Sequence, residues 1–537
     1  MMLDFINPYY LLPIVLAIMI IIYRRVSTHY GYFRDKPIPS MTPVPIFGNS
    51  LPLLMKKCTF FEHIQGIYNQ FPNAKALGFY DMTTRFIMLR DPELIKKVLI
   101  KDFDYFVDRR SVFDDDTPET DKVLITKTLL MLTGQKWRDM RATLSPAFTG
   151  SKMRAMFELI VTYSDRMVNI LRGQASEKGF VDYEMKEFCS RICSDIIATC
   201  AYGLEVESLA NRENDFYMMG KKMLDFGKAS FFVKIIMYTL FPKLMKKLQV
   251  DLFDGEQIKY FTEIIRDTIK TRDAHGIVRP DMIHLLMQAR KGVLRHQKES
   301  ADASAGFATV EESDVGKVEA KEMTEMELVA QCFIFFIAGF EAISTQMTLV
   351  FYELVANPDV QQKLFEEIAN THEQLQGTPL TYDTLQQMKY LDMVTSEVLR
   401  LWSGPATDRK CVRDYVLDDG EGLKFTIDAG TCVMIPSYGI HRDPKYYPEP
   451  DKFDPERFSE ERRASIDMTM YLPFGAGPRN CIGSRFALME MKALVYALLL
   501  NFSVERNEKT QVPIQFPKGF APLFGQNGLH LRLKIRQ

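Results

Sequence analysis

Cys481 lies in the run Phe474-Gly475-Ala476-Gly477-Pro478-Arg479-Asn480-Cys481-Ile482-Gly483, which can build one anionic, protected sulfur ligand. The glycines allow a tight turn with close backbone approach, so that N–H groups point at the sulfur. Those donors, and the Arg479 cation two residues away, favour thiolate over thiol. An amphipathic helix is predicted after Gly483, and its N-terminal dipole acts in the same direction. One sulfur cannot complete a tetrahedral zinc site. It suits a cofactor that brings four nitrogens of its own, on which a thiolate pushes electron density toward O–O cleavage.

Three other spacings carry chemistry. Trp137 and Arg141 stand four apart, so an indole N–H and a guanidinium aim the same way and can both bond a carboxylate. Glu397 and Arg400 stand three apart and share a helix face. Ala338-Gly339-Phe340-Glu341-Ala342-Ile343-Ser344 sets a glycine, where a helix can bend, two residues before an acid. The remaining cysteines, Cys58, Cys189, Cys193, Cys200, Cys332, Cys411 and Cys432, form no C-x-x-C pair. They read as buried thiols in a reducing compartment.

The elements that must position these residues are mostly helices. The longest starts at the capping box Thr324-Glu325-Met326-Glu327, runs through 328–355 and stops before Asn357-Pro358, which restarts a helix. About 30 residues at 1.5 Å each give roughly 45 Å, enough to cross a domain. Its middle is apolar all round, which implies burial on every face. Short strands are expected at 86–89 and 432–436, and a hairpin at 528–535. Residues 298–322 are polar and small and read as a mobile loop. The fold class is mainly α with a small β part. The 537 residues, 47% hydrophobic and 25% charged, are of ordinary globular composition, and the net charge of −2 leaves no basic field for nucleic acid.

Residues 5–23 carry no charge, and Arg24 and Arg25 follow them. The run is long enough to span a bilayer. The charge asymmetry is the reverse of a cleaved signal peptide and keeps the rest of the chain cytosolic. Residues 1–25 are therefore expected to be a membrane anchor, 26–50 a proline-stiffened hinge and 51–537 the catalytic domain. An aromatic stretch at 231–241, followed by Lys243, Lys246 and Lys247, reads equally as a membrane-dipping surface and as a buried helix.

The pattern F-x-x-G-x-x-x-C-x-G at Phe474–Gly483 resembles the haem loop of the cytochrome P450 family. The resemblance runs from the anchor to the C-terminus, with Glu397-Val398-Leu399-Arg400 matching E-x-x-R, Pro455-Glu456-Arg457-Phe458 the segment whose Arg completes that network, and Trp137 with Arg141 the W-x-x-x-R pair. Leu144-Ser145-Pro146-Ala147-Phe148 and His441-Arg442-Asp443-Pro444 resemble the insect detoxification subgroup related to vertebrate drug-metabolising members. The resemblance implies the cytochrome P450 fold behind one N-terminal anchor helix, and haem b (iron protoporphyrin IX) ligated by Cys481 in the loop that Phe474 opens. It further implies propionate contacts from Trp137, Arg141, Arg479, Arg409 and Arg109, and a buried structural triad of Glu397, Arg400 and Arg457. His441 is structural in the family. Gly339 and Glu341 match the oxygen-activating helix, but Ala342 replaces the usual threonine, and Thr345 is the nearest stand-in.

The implied function is insertion of one atom of O2 into a lipophilic, foreign small molecule. The chain has no dinucleotide or flavin motif, so NADPH electrons must come through a partner, NADPH–cytochrome P450 reductase, with cytochrome b5 as a second donor. The expected setting is the endoplasmic reticulum membrane, with the catalytic domain on the cytosolic face. Arg479, Arg485, Lys492, Lys136 and Arg138 are the expected basic docking patch. The alternative kept open by Ala342 is a haem-thiolate isomerase or dehydratase acting on hydroperoxides. A third reading is a haem-binding sensor or carrier.

Overall fold

The computed structural model describes Pro13 and residues 30–111, 123–224, 229–240, 242–248, 250, 253, 255–291, 306–310, 323–520 and 525–536. The expected anchor helix, and most of the loop expected at 298–322, lie outside the described residues. In chain order the helices of nine residues or more begin with α1 (Phe60–Asn69), α2 (Gly134–Leu144), α3 (Gly150–Ala175), α4 (Met185–Ile197), α5 (Asp215–Met223) and α6 (Ala229–Leu240). They continue with α7 (Gly255–His275), α8 (Met282–Arg290), α9 (Glu325–Ala356), α10 (Pro358–Gln374), α11 (Lys389–Leu401) and α12 (Ser484–Asn501). The strands are β1 (Ala76–Asp81), β2 (Thr84–Leu89), β3 (Phe180–Glu184), β4 (Thr407–Lys410), β5 (Tyr415–Asp418), β6 (Lys424–Ile427), β7 (Cys432–Ile435), β8 (Phe502–Arg506) and β9 (His530–Ile535).

Two compact units result. The first takes the chain up to Arg110, Gly404–Ile440 and Lys518–Phe520. Its main sheet has the order β1-β2-β7-β4. The strands expected at 86–89 and 432–436 are its two central members and pair in parallel, Phe86 beside Cys432. Both are apolar and buried, as central strands must be. The small β5–β6 pair stands apart from this sheet.

The second unit takes Ser111–Ser403, His441–Pro517 and the chain from Ala521 onward. Its axis is α9, which packs against α4, α7, α8, α10 and α11, while α12 packs along α3. The capping box starts α9 as its sequence requires, with Glu327 N–H donating to Thr324 Oγ1 at 3.2 Å and Thr324 N–H to Glu327 Oε2 at 2.8 Å. Asn357 takes the N-cap position of α10, but its side chain turns back and donates to the Glu353 carbonyl at 2.9 Å. Among the described residues α9 is the one helix long and apolar enough to cross a membrane, yet it serves as the core of this unit, with 67% of its most apolar window buried.

The hairpin expected at 528–535 does not form. That segment is one strand, β9, held between β3 and β8 in the order β3-β9-β8. Leu531 and Leu533 are buried, and the partner residues come from Phe180–Glu184 and Phe502–Arg506. A tight hairpin needs two apolar runs joined by a two-residue turn, and this segment supplies only one. Of the aromatic stretch at 231–241, residues 231–240 fall on α6, where Val233 is 57% exposed and Tyr238 is buried, so the helix has both a solvent face and a core face.

Candidate active site

The cysteine loop is a closed turn. Gly475 N–H donates to the Leu472 carbonyl, Asn480 N–H to Gly477 and Cys481 N–H to Phe474 at 2.9 Å. Gly475 and Gly477 have φ of +73° and +71°, a conformation costly for any residue with a Cβ. Helix α12 begins three residues after Cys481, with Gly483 at its N-cap. Cys481 is exposed, whereas Cys189, Cys193, Cys200, Cys332, Cys411 and Cys432 are buried and Cys58 is half-buried. Burial pushes the Cys189 thiol up to about 12 and that of Cys411 to about 11, which keeps both protonated and poor ligands.

Beside the loop lie the residues of the W-x-x-x-R pair. Helix α2 carries Trp137 and Arg141, both buried. Arg141 grips the residue before the cysteine twice, with Nη1 donating to the Asn480 carbonyl at 3.0 Å and Nη2 to Asn480 Oδ1 at 2.7 Å. The Arg479 guanidinium lies over the Trp137 ring, 4.4 Å from its centroid, and donates to the Leu132 carbonyl at 2.5 Å. Phe474 packs on the apolar cluster of Leu399, Tyr447, Phe458 and Tyr471. Asn480, which the residue types did not single out, is therefore the hinge between α2 and the loop.

That cluster leads to the charged network. Arg400 Nε donates to Glu397 Oε2 at 2.7 Å and its Nη2 to Oε1 at 2.9 Å, while Arg457 Nε stands 3.5 Å from the same Oε1. All three side chains are buried. Asp454 N–H supplies a further donor to Glu397, and Arg400 and Arg457 donate to the carbonyls of His441 and Pro448. His441 is fully buried, and its two ring nitrogens are occupied by the Arg400 carbonyl and the Leu472 N–H. Burial and the adjacent Arg400 cation push its pKa down to about 3, so the ring is neutral, with Nδ1–H as donor and Nε2 as acceptor. It is spent on structure and is no metal ligand.

In the middle of α9 the helix widens to a π segment, Ala338–Ile343. Such bulges gather at functional sites. Around it Gly339, Phe340, Ile343 and Ser344 are buried, but Ala338 and Ala342, one turn apart, are exposed. The same strip holds Phe335, whose ring meets that of Phe148 edge-on at 5.4 Å, and Phe148 lies 3.8 Å from where a Gly483 Cβ would stand. One phenyl ring thus separates the open strip of α9 from the cysteine loop. Gly339 turns its hydrogens toward α4, where a Cβ would come within 2.3 Å of Ile197 Cδ1.

Glu341 and Thr345 meet at the bulge, the Thr345 hydroxyl donating to Glu341 Oε1 at 3.4 Å. A residue that no motif singled out, Lys186 at the start of α4, joins them: its Nζ is 3.0 Å from Glu341 Oε1 and 2.8 Å from both Thr345 Oγ1 and Ser344 Oγ. No sequence signal marked it, because the link is purely tertiary.

One further expectation changes. Arg479 and Lys492 cannot belong to a docking patch. Arg479 is buried under the loop, and Lys492 is fully buried on α12, paired with Asp392 at 2.8 Å. Lys136 remains exposed, and Arg138 and Arg485 are half-buried. Arg409 and Arg109 lie in the first unit. Arg409 is buried on β4 and donates to the Asp408 carbonyl at 2.8 Å. Arg109 is half-buried beside the Asp108–Lys410 bridge that extends this strand.

Among the described residues no group of three or more His, Cys, Asp or Glu side chains is placed to hold a metal. An exposed thiol on a closed turn, whose neighbouring residues meet two guanidinium groups and an indole, fits a metal that arrives inside a macrocycle bearing acidic side chains. Site and fold together define a haem-thiolate enzyme. A family model described as Cytochrome P450 matches residues 38–530. The chain is 40% identical over 535 residues to cytochrome P450 9e2 of Blattella germanica, covering 97% of this chain and 96% of that protein. It is 40% identical over 512 residues to cytochrome P450 9b2 of Drosophila melanogaster, covering 93% and 94%. To cytochrome P450 6a2 of Drosophila melanogaster it is 33% identical over 531 residues, covering 98% and 99%. The chain belongs to the cytochrome P450 family: it is a haem-thiolate monooxygenase, an oxidoreductase that takes electrons from a redox partner and acts on small molecules.

Proposed function

We propose that this protein inserts one atom of O2 into a lipophilic foreign compound, with NADPH electrons delivered by NADPH–cytochrome P450 reductase and cytochrome b5 as an auxiliary donor. The observation that carries this is an exposed Cys481 thiol in a loop whose end, at Gly483, is separated by the Phe148 ring from an open, apolar strip of α9 formed by Phe335, Ala338 and Ala342. Cys481 would ligate the haem iron, and Trp137, Arg141 and Arg479 would hold the propionates. When bound, the haem supplies the activation of dioxygen. The rest falls to the chain. The bonds from Arg141 to Asn480 fix the sulfur's position, the Glu397 network holds the segment behind it, and Glu341 with Thr345 brings protons to the strip.

The xenobiotic reading draws on the insect relatives, the apolar lining and the resemblance to the detoxification subgroup. Residues 1–25 would anchor the protein in the endoplasmic reticulum membrane, 26–50 act as a hinge and 51–537 form the catalytic domain on the cytosolic face. Lys136, Arg138 and Arg485 are the cations left to face an acidic reductase. Ala342 favours a second reading, an isomerase or dehydratase of hydroperoxides, because a hydroxyl is missing from the open strip. Purified protein reconstituted with the reductase, NADPH and lipophilic probes should form O2-dependent oxygenated product. Conversion of a lipid hydroperoxide without NADPH, and no product with it, would establish the second reading instead.

A further inference from the structure

Lys186 occupies an unfavourable position. It is in the first turn of α4, where the helix dipole opposes a cation, and only 17% of its side chain is exposed. Glu184 caps that turn through the N–H groups of Lys186 and Glu187 and offsets part of this cost. The ammonium has three N–H donors. It spends them on three acceptors of one other helix, Glu341 Oε1, Ser344 Oγ and Thr345 Oγ1, all within 3.0 Å and all on the bulge of α9 or the turn that follows it. Because Lys186 fills an acceptor site of the Thr345 oxygen, that hydroxyl's own proton is directed to Glu341, at 3.4 Å.

We infer that Lys186 is a positioning residue for proton delivery: it holds Glu341 and Thr345 as one hydrogen-bonded pair and so supplies part of the ordering that a hydroxyl at residue 342 would give. Glu341 is 22% exposed in its side chain and adjoins Ala342 of the open strip in the chain. A cation anchored on α4 keeps acid and hydroxyl in one register despite the irregular backbone of the bulge. The inference rests on the haem-thiolate reading.

The test uses full-length holoprotein with Lys186→Met, Lys186→Arg, Thr345→Val and the Met/Val double variant. The reduced carbon monoxide complex is recorded first; a native protein without a red-shifted Soret band refutes the haem-thiolate reading itself. With that band intact, Lys186→Met should lower product formed per NADPH by about tenfold, less than the roughly 100- to 10,000-fold that a positioned acid–base group itself contributes, because Glu341 and Thr345 both remain. The lost reducing equivalents should appear as hydrogen peroxide. Lys186→Arg should restore most of the product, since a guanidinium can still bridge the pair. In thermal unfolding, the Met and Val changes should be non-additive by more than about 2 °C, because each removes one side of the same contact. Native-like coupling in Lys186→Met, no rescue by Arg, or strictly additive unfolding shifts would each overturn the inference.

Discussion

Ala342 and Ala338 stand one turn apart on the open strip of α9, so a side chain added at 342 enters free space. A threonine hydroxyl there can reach the Ala338 carbonyl, the usual back-bond of a helical threonine. Overpacking a filled site costs about 1–3 kcal/mol, but the exposure of Ala342 removes most of that penalty. Ala342→Thr should raise product formed per NADPH and lower peroxide release; tighter coupling in the native enzyme than in the variant would show that Lys186, Glu341 and Thr345 already suffice. Glu490 poses a different residue-scale question. It is fully buried on α12, with the Cys193 thiol as the donor beside its carboxyl. Burial pushes its pKa up from 4.5 to about 8, so the folded protein holds a proton there that the unfolded chain releases. The stability this contributes is fully present below pH 4.5 and is lost as pH rises through about 8. Asp195 and Glu353, each pushed up to about 7 by burial, act with the same sign. Glu490→Gln should therefore flatten, but not abolish, the fall in unfolding temperature between pH 5 and 8.5; an unchanged slope would mean Glu490 is ionised in the folded state.

At the scale of elements, the active site depends on the contact between α9 and α4. Gly339 is read from sequence as the point where the helix opens toward a ligand, and the structure adds a packing reason for the glycine. Its Cβ would meet Ile197 Cδ1 at 2.3 Å and Cγ1 at 2.9 Å. Gly339→Ala should cost about 1–3 kcal/mol by overpacking. Ile197→Val removes the nearer atom and should recover part of that loss in a thermal double-mutant cycle; additive effects would mean the two residues are not in contact. The long helix, its capping box and the glycine turn before Cys481 were legible because each is a local pattern with its own spacing. Lys186 was not, since nothing within α4 marks a lysine whose partners lie about 155 residues away. Lys492 was misjudged for the matching reason. A lysine after a cysteine loop reads as a surface charge until Asp392 is brought to it from another helix.

For the whole molecule, the division into two units joins segments distant in the chain: β2 and β7, over 300 residues apart, are adjacent strands, and β9 closes a sheet begun at β3. Long-range pairing of that kind carries no local signature, which is why the strands at β2 and β7 were foreseeable but their partnership was not. The proposed anchor, by contrast, is a matter of composition. Deleting residues 2–25 should release the protein from its main membrane tether and leave haem loading intact, as sedimentation with membranes and absorbance of the pelleted and soluble fractions would show. A truncated protein that cannot load haem would place the domain boundary elsewhere. Any membrane association that persists should depend on the exposed side of α6, at Val233. The central claim is that one thiolate, Cys481, binds the iron. Its most direct measurement is the Soret band of the dithionite-reduced, carbon monoxide-bound protein, compared among native, Cys481→Ser, Cys411→Ser and Cys432→Ser. The native protein and the last two variants should show the strongly red-shifted band of thiolate ligation, and Cys481→Ser should lack it. A red-shifted band that survives Cys481→Ser, or that vanishes when Cys411 or Cys432 is replaced, would contradict the account.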